Sequence, residues 1–97
     1  MDELALLKQQ AAVFKALSNV ARLRIVVQLS RGEQTVTQLT KMSGLDQSTV
    51  SKHLSVLRSQ GIVDDTRHGN NVYYRLTMPC VMDFFGCARQ VIDERRG

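Results

Sequence analysis

Thr35–Gly61 reads TVTQLTKMSGLDQSTVSKHLSVLRSQG, and the fold of the chain turns on it. Its pattern predicts a short helix, a tight turn at Ser43-Gly44-Leu45 and a longer helix from about Asp46. Val50, Leu54 and Leu57 recur at i, i+4 and i+7, which places them on one apolar stripe. Gln47, Ser48, Ser51, Lys52 and Ser55 fall on the other side. That outward face has no large apolar group and, after Asp46, no acid. Short hydrogen-bonding side chains with a lysine can press a helix against DNA and read base edges; a solvated surface helix can show the same composition. Asp46 suits the N-cap, where its carboxylate accepts from free N–H groups of the first turn.

Downstream, the period changes after Gly61. Val63–Leu76, VDDTRHGNNVYYRL, is β-like, with two runs around His68-Gly69-Asn70-Asn71. Gly and Asn tolerate the backbone angles of a hairpin turn. Val72, Tyr74 and Leu76 alternate with Tyr73 and Arg75. Such a ribbon, with Arg67 and His68 before its tip, can lie along a phosphate backbone; it can equally just close one edge of a helical core. A last helix is expected from Thr77 or Met78 to about Glu94, with Pro79 in its first turn. It carries two apolar stripes, Val81/Phe85/Ala88/Ile92 and Cys80/Phe84/Cys87/Val91. One meets the core, and the other needs a second cover.

Upstream, Leu4, Leu7, Ala11, Phe14 and Leu17 mark a helix over about Glu3–Leu17. A second follows from about Val20 to Ser30, with Leu23, Val26, Val27 and Leu29 as core candidates. Thr35 is the expected N-cap of the third, whose inward residues are Val36, Leu39 and Met42. The order is therefore helix, helix, helix-turn-helix, hairpin, helix: a mainly α fold with a small β-hairpin.

Ninety-seven residues form a single domain, 1–97. Hydrophobic content is 43%, but aromatics are 5% and Trp is absent, so the core is small and aliphatic. A second copy of the chain is the natural source of further burial. The net charge of +4 is unevenly spread. Lys15–Arg58 holds seven basic residues and two acids, so the positive field overlaps the helix pair, as a polyanionic partner requires. No run is long enough for a membrane span, and MDELALLKQQ carries acids where a secretory leader carries bases. A cytoplasmic location and reduced cysteines are expected. Catalysis is not expected: His53 and His68 lie on different elements, and no nucleophile–His–acid set or phosphate loop is present.

Four segments now resemble the ArsR/SmtB family of winged-helix repressors. Ala21-Arg22-Leu23-Arg24-Ile25 is similar to the family's TRLRIL. Asp46–Leu54 is similar to its recognition helix SQSTVSRHL. Leu57–Val63 resembles LREAGLV, and Val72–Leu76 resembles the second wing strand VYYRL. The resemblance covers essentially the whole chain. It implies a winged helix-turn-helix (α-α-α-α-β-β-α) and a homodimer joined through the first and last helices (about 3–17 and 78–94). It also implies an inducer-released repressor on an inverted-repeat operator in double-stranded DNA. Carried over, the contact positions are Gln47, Ser48, Ser51 and Lys52, with Thr49 close by. The wing positions are Arg67, His68, Asn70 and Asn71. The alternative within the same scaffold is a protein-interaction module, disfavoured by a reading face without aromatic anchors.

Two departures matter. Asn70 stands where family members often carry arginine, which weakens phosphate attraction at the wing tip. The family's ELCVCDL metal stretch aligns with Glu33–Leu39, EQTVTQL, where hydroxyls replace both thiols; hydroxyls do not substitute for thiolates around a soft ion. The last helix also lacks the His/Asp/Glu pattern of zinc-sensing relatives. Cys80 and Cys87 remain. Seven residues of helix separate them by roughly 10 Å, beyond the ~7 Å reach of a disulfide. Across a dimer axis they could form a thiol cluster for a soft metal, a metalloid or an oxidant. They could equally be small hydrophobes in an interface stripe.

Overall fold

The computed structural model describes residues 2–97. Asp2 caps α1 (Glu3–Leu17), its carboxylate accepting from the Ala5 N–H at 2.7 Å. Asn19 caps α2 (Val20–Leu29) in the same way, accepting from the Arg22 N–H at 3.0 Å. The Arg22 Nε in turn donates to the Ala16 carbonyl at 2.6 Å, which ties the end of α1 to the start of α2. Next come β1 (Gln34–Thr35), α3 (Val36–Ser43), α4 (Gln47–Ser59), β2 (Val63–His68), β3 (Asn71–Leu76) and α5 (Val81–Arg96).

A capping box opens α3. Thr35 Oγ1 accepts from the Gln38 N–H at 3.1 Å, and Gln38 Oε1 accepts from the Thr35 N–H at 2.8 Å. Gly44, at φ 71°, ends the helix in the left-handed region, where a side chain would be strained. The strands form an antiparallel sheet in the order β1-β3-β2. Between His68 and Asn71, Gly69 has φ 62° while no non-glycine residue among the described residues has positive φ. That is the sign pattern of a type II′ hairpin turn, whose first central position favours Gly.

The core is aliphatic. Ile25 and Val26 from α2, Leu39 from α3, Val50, Leu54 and Leu57 from α4, and Ile62 beside β2 are fully buried. Each contributes about 1.5–3 kcal/mol by leaving water. These residues lock α2, α3 and α4 together and fix which side of α4 faces out.

Three expectations need correction. The sheet has a third strand: Gln34 pairs with Tyr74 and Thr35 with Tyr73. Two residues carry no readable alternation, so the α-α-α-α-β-β-α order omits β1. The last helix starts at Val81, not at 78, and runs to Arg96. The residue before a proline is disfavoured in helix geometry, and residues 78–80 instead form a turn in which the Val81 N–H donates to the Met78 carbonyl at 3.1 Å. Past Glu94 nothing breaks the helix. Finally, Leu23 and Val27 are only partly buried, because that side of α2 faces a cleft.

The apolar stripes of α5 divide as expected. Val81 is buried and Phe85 is packed on the core. Phe84, Val91, Cys80 and Cys87 are exposed. Ile92, on the same stripe as Val81 and Phe85, is exposed as well because α5 runs past the core. Leu4, Leu7 and Phe14 of α1 also face solvent. Phe14 and Phe84 meet edge to face at 5.8 Å, joining the two exposed faces into one apolar surface. The radius of gyration, 14.7 Å, exceeds the ~12.5 Å of a compact chain of this length. No helix among the described residues is long and apolar enough to cross a membrane.

Candidate nucleic-acid interface

α4 presents Gln47, Ser48, Ser51, Lys52 and Ser55 to solvent, while Val50, Leu54 and Leu57 fill the core behind them. Thr49 is half-buried at the edge of this face, and His53 is half-buried on the flank of the apolar stripe. The first turn is held by Asp46, whose carboxylate accepts from the Thr49 N–H at 2.7 Å and the Ser48 hydroxyl at 3.0 Å. The Thr49 backbone bond, above all, holds the Asp46 carboxyl below the usual carboxylate range. Among the described residues Lys52 has no acidic partner within ion-pair distance. The face therefore offers hydroxyl and amide groups and, in the second turn of the helix, one uncommitted cation, all of which suit the edges and phosphates of a duplex groove.

The wing projects beside it. Arg67, His68, Asn70 and Asn71 are all exposed at its end. His68 packs edge-on against Tyr73, with ring centroids 5.8 Å apart. Arg67, like Lys52, has no acidic partner among the described residues.

A charge cluster that the sequence did not reveal fixes the wing to α4. Arg58, one of the basic residues that seemed to belong to the positive field, lies with Nε 2.7 Å from Asp65 Oδ1 and 3.9 Å from Asp64 Oδ1. The Asp65 approach is off the N–H axis, so it is a charge contact and not a hydrogen bond. Arg75 on β3 reaches Asp64 at 3.4 Å. Strand alternation sends neighbouring side chains to opposite faces, yet Arg58 Nε lies within 4 Å of both aspartates; the Asp64 carboxylate folds back along the strand, its Oδ1 accepting from the Asp65 N–H at 2.9 Å. Tyr74, opposite Asp65 in the ladder, has its phenol pKa pushed up, mainly by burial and then by the Asp65 charge. Arg58 is thus neutralised by the wing.

Cys80 and Cys87 are exposed thiols, Cys80 at the position that starts α5 without a side-chain cap bond. No group of three or more metal-ligating side chains occurs among the described residues of one chain.

Comparison with known proteins gives a consistent result. The family "Bacterial regulatory protein, arsR family" matches residues 19–65. The chain is 39% identical over 90 residues to the HTH-type transcriptional regulator Rv0324 of Mycobacterium tuberculosis, covering 93% of this chain and 40% of that protein. It is 40% identical over 87 residues to a transcriptional repressor SmtB homolog of Synechocystis, covering 90% of this chain and 64% of that protein. The chain thus spans less than two thirds of the length of these two relatives. Among solved structures, the homodimeric winged helix-turn-helix DNA-binding domain Mb0332 (fragment 1–100) of Mycobacterium bovis superposes with a TM-score of 0.84. Its identity is 36%, over 98% of this chain and 90% of that one.

Proposed function

The chain belongs to the arsR family of bacterial regulatory proteins, and from that premise we propose that it is a dimeric, cytoplasmic, DNA-binding transcriptional repressor and not an enzyme. The observation that carries this reading is the exposed Gln/Ser/Ser/Lys face of α4 set against a fully buried Val50/Leu54/Leu57 stripe. Each α4 enters a major groove, Gln47, Ser48 and Ser51 reach base edges with Thr49 alongside, and Lys52 meets phosphate. Arg67, His68, Asn70 and Asn71 lie over the flanking backbone or minor groove. The joined apolar surface of α1 and α5 supports dimerisation, as does the homodimeric state of the superposed relative.

Fluorescence anisotropy with an operator duplex tests the reading. Affinity falls steeply with salt, and Lys52→Ala lowers affinity for every duplex while reducing the salt slope by about one per chain. Gln47→Ala chiefly relaxes sequence preference. Normal operator binding by both variants would show that the reading face is wrongly assigned.

The regulatory input within this reading is a soft metal or metalloid, or an oxidant, acting on Cys80 and Cys87 brought together across the dimer. Their exposure on the outer stripe of α5 supports it. The Cys80→Ser/Cys87→Ser double variant then keeps its operator affinity in the presence of As(III), Cd(II) or peroxide, whereas the wild-type protein loses it. Equal responses in the two proteins would eliminate the thiols.

A further inference from the structure

The first turn of α4 limits how its exposed face can hydrogen-bond. Ser48 is exposed on that face, and its hydroxyl donates to Asp46 Oδ1 at 3.0 Å. The same oxygen accepts from the Thr49 N–H at 2.7 Å, which pins the carboxylate at the helix cap. An ionised carboxylate only accepts, so the proton between the two oxygens belongs to Ser48. The backbone bond from Thr49 first, and the Ser48 hydroxyl after it, hold the Asp46 carboxyl below its usual range, and the group stays ionised at neutral pH. A serine hydroxyl has one proton and two lone pairs. With the proton on Asp46, Ser48 has only lone pairs left for a further partner. Gln47, its neighbour, carries both a carbonyl oxygen and an NH₂ group and suits either kind of partner.

We propose that Asp46 is a positioning residue that commits the Ser48 hydroxyl to accepting, so that Ser48 selects a base with an exocyclic amino group, adenine or cytosine, over guanine or thymine. This selection rests on the repressor reading, in which Ser48 meets base edges. In the major groove adenine N6 and cytosine N4 donate, whereas guanine O6 and N7 and thymine O4 accept. Adenine or cytosine on the strand facing Ser48 supplies the proton that the hydroxyl lacks; guanine or thymine sets two acceptors against each other. Ser48 satisfies those bases only by giving up Asp46, which exchanges a charge-assisted bond for a weaker neutral one. The motif SQSTVSRHL, which Asp46–Leu54 resembles, opens with serine, a cap that can both accept and donate. Aspartate in that place removes the choice.

Selection of bound duplexes from a random pool, carried out with wild type, Ser48→Ala and Asp46→Ser, tests the assignment. The wild-type sequences contain one position per half-site at which adenine and cytosine are favoured over guanine and thymine by about fivefold, the range expected for one hydrogen bond. Ser48→Ala abolishes that preference and leaves the other positions as they were. Asp46→Ser keeps a capping oxygen, frees the Ser48 hydroxyl to donate or accept, and removes the same preference; a cap defect alone would weaken all positions alike. Ser48→Ala leaves the cap intact and still decides which bases Ser48 selects should Asp46→Ser fold poorly.

A position that depends on Ser48 but favours guanine or thymine would show the hydroxyl donating and overturn the proposal. A preference lost in Asp46→Ser but kept in Ser48→Ala would assign the reading to the carboxylate itself and overturn it too. So would one lost in Ser48→Ala and unchanged in Asp46→Ser. A wild-type motif with no position altered by Ser48→Ala refutes the role of Ser48 alone, whereas a wild-type chain that enriches no sequence refutes the repressor reading.

Discussion

Arg58→Met separates two roles that the sequence confounds. If Arg58 holds the wing to α4, its removal lowers stability and leaves phosphate contacts intact; if it faces DNA, the reverse holds. The substitution keeps the length of the side chain and deletes the charge beside Asp65 (2.7 Å) and Asp64 (3.9 Å). Coulomb attraction at the shorter distance is ~1.5 kcal/mol in a water-like dielectric and several times that in a drier one. The Arg58 side chain is 58% exposed and Asp65 only 27%, so screening brings the net toward the upper end of a surface pair, about 1 kcal/mol. Leaving the buried Asp65 oxygen without its cation keeps the cost from falling lower. For a chain of this size that corresponds to a urea midpoint lower by about 0.5 M at fixed protein concentration. The partner variant Asp65→Asn loses a similar amount, and the double variant loses less than the sum of the two. Salt dependence of duplex binding stays unchanged. A variant with an unaltered urea midpoint and a salt slope reduced by about one per chain would refute the brace and return Arg58 to the DNA surface.

Two further outcomes follow from particular residues. The Asp46 carboxyl titrates below its ordinary value in the folded chain, so its contribution is fully present above the unfolded-state value, near pH 4, and is lost as pH falls through the lower folded value. Asp46→Asn keeps a capping oxygen without a charge, and urea midpoints followed from about pH 6 to about pH 3 therefore fall less steeply in this variant than in wild type. Phe84→Asp places a charge on the outer stripe of α5; losing two buried rings at about 1.5–3 kcal/mol each weakens the dimer at least about 100-fold, read by sedimentation as conversion to monomer. A dimer unaffected by Phe84→Asp would move the interface away from α5.

The helix-turn-helix was legible because local signals agree there. The i, i+4, i+7 stripe on α4 is the buried stripe, and Asp46, Thr35 with Gln38, and Gly44 all act at the caps where their chemistry puts them. The split of α5 into inner and outer faces was also readable from its two stripes. What escaped depends on contacts between distant segments. β1 is two residues long and exists through its pairing with Tyr73 and Tyr74. Arg58 could not be distinguished from Lys52 as a basic residue on α4 until the fold brought Asp64 and Asp65 to it. The cleft escaped because Leu23 and Val27 have core-like spacing, and nothing local to α2 shows that α5 stands away from them.

Removing Arg58 from the positive field changes what one chain can do with DNA. Among the described residues of the helix-turn-helix and wing, the exposed cations without an acidic partner are Lys41, Lys52 and Arg67. Three phosphate contacts give a salt slope of about −3, an interaction that physiological salt largely removes. Two chains held rigidly make six contacts, which takes the slope to between about −5 and −6, and make the second contact intramolecular, which raises avidity without any new residue. On the proposed reading, α4 is too weakly charged to hold an operator alone. On the same reading, occupancy of an operator depends on pairing of two chains through the apolar surface of α1 and α5. A slope near −3 that persists under conditions where the protein is dimeric would mean that only one chain engages the duplex, and the paired-helix geometry would have to be abandoned.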